Sequence, residues 1–131
     1  EVPADKSLPF LPTFNAGQIF HTALRYVDFA NGRGLRYLTQ YAQAIYPVTS
    51  KYLFYTYQGI SNDGRFYVAA VLPVAHPILP DESAYTIDEA FVNNFSNYLA
   101  DVARDLAAQP PESFSPSLTA LDQMMATLQT P

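Results

Sequence analysis

The chain contains no cysteine and no tryptophan. Without Cys there is no disulfide, no thiolate nucleophile and no Cys-ligated metal. Basic residues are also scarce. Seven Lys and Arg face twelve Asp and Glu, for a net charge of −5. A nucleic-acid partner needs a basic stripe that displaces counterions from phosphates, so nucleic acid is not an expected partner. A polybasic membrane-surface site fails on the same count. Apolar runs are short, and none reaches the ~20 residues that span a bilayer. Charged residues make up only 15% of the chain while hydrophobic residues make up 49%, which argues against disorder. The 131 residues suit one domain over residues 1–131, with enough chain to build a core. A chain that begins at Glu1 rather than Met is expected to be a processed or partial form, and a leader or upstream domain would not be visible in it.

What is abundant is aromatic. Ten Tyr and nine Phe stand out, many of them between Gln18 and Val74. That stretch reads as two successive β-hairpins. Ile19 to Phe29 and Leu35 to Ile45 alternate as strands around Asn31-Gly32-Arg33-Gly34, where Asn31-Gly32 is a strong hairpin-turn signal. In the first strand, strict alternation puts Phe20, Thr22, Leu24 and Tyr26 on one face. Lys51 to Gln58 and Arg65 to Val74 form the second hairpin around Ser61-Asn62-Asp63-Gly64. The near-continuous apolar run Phe66 to Leu72 predicts a central strand buried on both faces.

Residues 1–17, with Pro3, Pro9 and Pro12, read as an extended arm, because proline fixes φ and removes backbone donors. Leu8, Phe10, Leu11 and Phe14 are too apolar for a solvated tail, so the arm is expected to pack on the body. After Pro73, Pro77 and Pro80 the pattern turns helical. Thr86 and Glu89 read as a capping box, and Ile87, Phe91, Phe95, Tyr98, Val102 and Leu106 form one stripe. A second helix is expected from Ser115-Pro116, with Leu118, Leu121, Met125 and Leu128 inward. The fold class is therefore α+β: an antiparallel β-sheet of two consecutive hairpins, at least four strands, with two C-terminal helices packed on one face. The expected core is Leu24, Leu38, Leu53, Val68, Val71, Phe91, Phe95, Leu99, Val102 and Leu121.

No motif requires a reaction. His21 and His76 are the only histidines and their spacing implies no metal site. No Gly-x-Ser-x-Gly elbow occurs. The acids Asp5, Asp28, Asp63, Asp81, Glu82, Asp88 and Glu89 are dispersed, and Asp88 and Glu89 suit a helix N-terminus. Asn62-Asp63-Gly64 lacks the further ligands of a calcium loop. Asn31-Gly32-Arg33-Gly34 joins two strands, not a strand to a helix, so it lacks the amides that hold a phosphate. Catalytic residues, metal ligands and cofactors are accordingly not expected. The candidate ligand-binding residues are Tyr37 and Tyr41 on one face of the second strand and Tyr55 and Tyr57 on one face of the third, with Arg25 or Arg36 at the edge. If those faces coincide, they make an aromatic, hydroxyl-bearing patch, and tyrosine suits such a surface because it joins apolar area to a polar tip.

Three segments carry a resemblance: Asn31 to Tyr41, Tyr55 to Gly64, and Tyr67 to Val74. They are similar to an uncharacterised group of bacterial cell-envelope proteins, secreted or lipid-anchored, over about residues 8 to 80. The resemblance brings no activity and no catalytic residues. It implies export, an extracytoplasmic location and a longer parent chain. In element order alone the chain resembles the PsbP/Mog1-like α/β sandwich, which warrants no function. The leading expectation is a non-catalytic binding or interaction domain of the envelope, with an unknown protein or small molecule as partner. One alternative is a hydrolase that gathers at least two of His21, His76, Asp28, Asp63 and Arg36 in a cleft. The other is a structural or homodimerising domain, signalled by an open edge strand.

Overall fold

Four strands pair as an antiparallel meander in the computed structural model, which describes residues 7–131. The strands are β1 (Gly17–Phe29), β2 (Gly32–Ala42), β3 (Phe54–Ser61) and β4 (Tyr67–Pro73), and their order in the sheet is their order in the chain. Three helices come next: α1 (Glu89–Asn93), α2 (Phe95–Ala107) and α3 (Leu118–Ala126). The α+β class and the antiparallel sheet are thus as expected. Among the described residues, no helix is long and apolar enough to cross a membrane. The first six residues of the expected arm, including Asp5, lie outside the described residues.

The sheet has two different faces. On one lie α2 and α3, packed against β1. The other carries the arm. The strict alternation expected for β1 fails, because the strand is bulged between Gln18 and Phe20 and again between Thr22 and Arg25. Ala23, at φ 56°, supplies the left-handed residue of the second bulge. Each extra residue flips the facing of the residues beyond it. Phe20 and Thr22 therefore share the helix face with Arg25, Val27 and Phe29, while Tyr26 turns to the arm face; Leu24 drops out of the core.

The first hairpin turn is also shifted. Phe29 pairs with Gly32, so the turn residues are Ala30 and Asn31, and Gly32 is already in β2 with no positive φ. Its role is proximity. A Cβ on Gly32 would sit 2.0 Å from the Phe29 ring and 2.6 Å from the Ile60 carbonyl. Gly34, directly opposite Gly59, gives the same room to the Tyr57 ring. The second turn is the one expected: Gly64 has φ 72°, and Asp63 accepts bonds from the Ser61 hydroxyl (2.6 Å) and the Arg65 amide (3.0 Å). Those bonds hold the Asp63 carboxyl below its ordinary pKa, the Ser61 contact contributing most. The two turns are joined by the Asn62 amide, which donates to the Asn31 carbonyl. Asn31 in turn grips Thr130, donating to its carbonyl and hydroxyl and accepting from its amide.

β4 is an edge strand, not the central strand expected from its apolar run. Val68, Ala70 and Leu72 pack inward, whereas Tyr67, Ala69 and Val71 are exposed. The long helix expected from Thr86 is divided at Asn94, which ends α1 and begins α2. Asp88 takes the N-cap, accepting from the Phe91 amide; its carboxylate is the stronger cap, so the helix starts two residues later than the Thr86 box predicts. Likewise Ser117, not Ser115, caps α3. Phe91 and Phe95 are half-buried in an aromatic cluster with Tyr85 and Tyr98 and stand outside the main core. Of the remaining expected core, Leu38, Leu53 and Leu121 are buried and Val68, Leu99 and Val102 pack against them, but Val71 is exposed.

Candidate functional site

Helix-face chemistry is buried and internally satisfied. Asp122 on α3 is the hub. Its carboxylate accepts from Arg36 Nε (3.0 Å), from Arg36 Nη2 (3.2 Å) and from the Tyr55 hydroxyl (2.9 Å). Arg36 Nη1 donates to the Ala23 carbonyl that the bulge turns inward. Arg25 approaches the same carboxylate at 3.6 Å but is mostly exposed. Tyr57 donates to the Val27 carbonyl at 2.6 Å. Burial raises the pKa of both tyrosines, that of Tyr57 to about 12, and the neighbouring Asp122 carboxylate adds to the rise at Tyr55. These hydroxyls stay protonated and serve as donors.

Arm-face chemistry holds a backbone. Gln18 accepts from the Leu8 amide (3.0 Å) and donates to the Leu8 carbonyl (3.3 Å). Gln58 does the same for Leu11, at 2.9 and 3.0 Å. Between them the Tyr37 hydroxyl donates to the Pro9 carbonyl at 2.7 Å. Two primary amides thus imitate a neighbouring strand for a proline-rich segment that cannot form a full ladder. The arm packs on the body as expected.

The tyrosine patch does not form. Tyr37 and Tyr41 lie on the arm face, Tyr55 and Tyr57 on the helix face, because alternation in register-matched strands (Tyr37 opposite Thr56, Leu38 opposite Tyr55) puts them on opposite sides. Tyr37, Tyr55 and Tyr57 are each 0% exposed. Arg36 is buried beneath α3 and Arg25 stands beside it, away from Tyr41. Only Tyr41 reaches an open surface.

That surface is a groove of about 900 Å³ where the arm meets the loop between β2 and β3. Phe14 comes from the arm, Tyr41 from β2, Tyr46 and Tyr52 from the loop, Phe54 from β3 and Val71 from β4. The rings brace one another: Tyr41 stacks on Phe54 at 6.2 Å, Phe14 meets Tyr41 edge-on at 5.3 Å, and Tyr46 meets Tyr52 edge-on at 5.5 Å. Phe14 and Tyr52 remain 43% and 46% exposed, so the apolar lining is open to ligand. Among the described residues the one cationic side chain of the lining is Lys51, whose Nζ lies 5.2 Å from the centre of the Tyr52 ring. The loop is held in place from below: Gln40 donates to the Pro47 carbonyl and accepts from the Thr49 amide, and the Tyr98 hydroxyl accepts from the Val48 amide.

The residues of the hydrolase alternative are not assembled. Among the described residues no hydrogen bond or ion pair joins any two of His21, His76, Asp28, Asp63 and Arg36, and none of the five lines the groove. His76 is buried in the Pro-rich loop. Its Nδ1 accepts from the Ile78 amide at 3.1 Å, which fixes the proton on Nε2, facing Ser113 Oγ at 2.8 Å. The Ser113 hydroxyl donates in turn to the Pro110 carbonyl, so the pair is a chain of donors rather than a base and nucleophile. Burial lowers the His76 pKa. The folded state therefore binds its proton at a lower pH than the unfolded chain does. Stability is fully present above the ordinary histidine pKa and falls as pH drops from there toward the folded-state value. Denaturant melts between pH 7 and pH 5 (about the range of histidine titration) should show this loss in the wild type and a flatter profile in His76→Gln.

Sequence reasoning missed Asp122, although a signal was present: Leu118, Leu121, Asp122 and Met125 share one helical face, and an acid on an apolar stripe demands a buried partner. It also missed the loop aromatics Tyr46 and Tyr52: Tyr46 lies outside every strand pattern, and Tyr52 falls within the third strand expected from Lys51, whereas β3 begins at Phe54. Comparison with known protein families, curated proteins and solved structures finds no match to this chain.

Proposed function

We propose that this domain binds, without transforming, a small amphiphile that has an apolar body and an anionic group. The reading rests on one observation: among the described residues the groove is lined by five aromatic rings, all but Phe54 exposed or half-buried, and by a single charged side chain, Lys51. Aromatic walls favour an apolar body, and the ammonium at the rim selects the sign of its head. An extracytoplasmic setting in the bacterial envelope is part of the same proposal and is supported by the resemblance of the turn and strand segments.

Thermal unfolding with laurate and with dodecyltrimethylammonium, both below micelle formation, tests it. A ligand that binds only the folded state raises its stability, by ~2.7 kcal/mol at a hundredfold excess over Kd. Laurate should raise Tm in a concentration-dependent way and the cationic amphiphile should not. Tyr52→Ala should weaken the laurate response, and Lys51→Glu should abolish it. No response to laurate sinks the proposal, and equal responses to both amphiphiles sink the assignment of Lys51.

A further inference from the structure

We propose that β4 is a homodimer interface, through which two copies of the chain pair edge to edge across a two-fold axis near Ala70. The backbone sets which groups are free. The Ser61 amide donates to the Phe66 carbonyl and the Val74 amide to the Leu53 carbonyl, so even-numbered residues of this strand face β3. The N–H groups of Tyr67, Ala69 and Val71 therefore point out of the sheet, and among the described residues none has a backbone partner there.

Protection of this edge is confined to its end, where Pro73 lacks a donor and Ala75, beyond the strand, pairs with Ser115; from Tyr67 to Val71 the described residues place nothing over it. Exposed sheet edges are guarded by charges, bulges or covering elements. β1, at the opposite edge, has two bulges with Arg25 and Asp28 exposed, and α2 and α3 lie against it. β4 pairs with β3 without a register shift, and from Phe66 to Pro80 there is no Asp, Glu, Lys or Arg. In a chain of net charge −5, this stretch brings no like charge of its own against a second copy.

The strand is also complementary to itself. With Ala70 on the axis, Ala69 and the partner's Val71 exchange both backbone bonds, and the Tyr67 amide meets the partner's Pro73 carbonyl. Every outward N–H finds an acceptor. Pro73, the one residue lacking a donor, falls at the end of the ladder, where its loss costs least. On the helix face Val68 meets the partner's Leu72, and on the arm face Tyr67 meets the partner's Pro73, so both faces pair apolar with apolar. The result is a continuous eight-stranded sheet. The interface goes beyond the amphiphile reading; it shares Val71 and Pro73 with the rim of the groove, so the variants that test it are placed at Ala69, which does not line the groove.

Sedimentation velocity over a concentration series, with amide exchange monitored by NMR, tests this. The wild type should sediment as a dimer, with the Tyr67, Ala69 and Val71 amides protected only where the dimer is populated. Ala69→Pro removes one outward N–H from each copy while leaving the β3 ladder intact, and it should weaken dimerisation about tenfold or more. Ala69→Glu, which keeps the N–H but places like charges beside the axis, should do the same and covers the case in which the proline variant misfolds. A monomer at all concentrations overturns the proposal. So does a dimer that survives both folded variants, or one in which the three odd-numbered amides exchange freely.

Discussion

Replacing Asp122 with Ala is expected to cost about 3–5 kcal/mol of folding stability, the range for removing one partner of a buried ion pair. The size of the loss comes from what is left behind. Arg36 has 6% of its side chain exposed and cannot withdraw its guanidinium to water, and the Tyr55 hydroxyl loses its acceptor at the same time. Denaturant melts of the single variant measure the cost. The triple variant Asp122→Leu, Arg36→Met, Tyr55→Phe removes the charges and the orphaned hydroxyl together. It should be clearly more stable than Asp122→Ala, because an apolar substitute for a buried ion pair carries no desolvation cost. It should not regain everything, since the Ala23 carbonyl would lose its Arg36 donor. Arg25→Ala, which removes an exposed contact to the same carboxylate, should change stability by less than about 1 kcal/mol. A single Asp122→Ala variant within about 1 kcal/mol of wild type would show that the cluster is not the buried pair described.

Gly34→Ala is expected to cost about 3 kcal/mol, at the upper end for overpacking. The added methyl would lie 2.5 Å from the Tyr57 ring and 2.8 Å from the Gln58 carbonyl. Neither can move cheaply: the ring is pinned by its bond to the Val27 carbonyl and the carbonyl belongs to the β3 backbone. Tyr57→Phe in the Gly34→Ala background frees the ring from Val27 and should recover part of the loss. Gly64→Ala meets no atom within 4 Å, so its cost comes only from the positive φ. Equal melting curves for Gly34→Ala and the wild type would mean that the ring does not rest on this glycine.

These two sites show what periodicity can and cannot convey. The two hairpins, the proline stops and the helical second half were legible because alternation, turn residues and helical stripes are local patterns. The bulge at Ala23 was not, since alanine carries no signal for a left-handed conformation, and one unseen residue reversed the face of everything after it. Gly32 was legible as a glycine but not in its role; it is required by a ring from across the hairpin, not by a turn. The apolar run of β4 suggested a central strand because burial on two faces and exposure at an edge leave the same composition. The candidate site was the least legible part. Its rings come from the arm, two strands and a loop, and only the folded chain brings Phe14, Tyr46 and Tyr52 beside Tyr41.

The clasp on the arm separates identity from position. Gln18 and Gln58 grip amide hydrogens and carbonyl oxygens, which every residue except proline offers alike. Leu11 is 42% exposed and its amide and carbonyl are both bonded by Gln58, so substitutions there should cost little, whereas a change of Gln58 removes the grip itself. At Leu11 the arm's own lettering is therefore free to drift, unlike at the buried Leu8 or the ring-packed Phe10 and Phe14, and the information that fastens that point is written elsewhere, in a residue of the sheet it lies on.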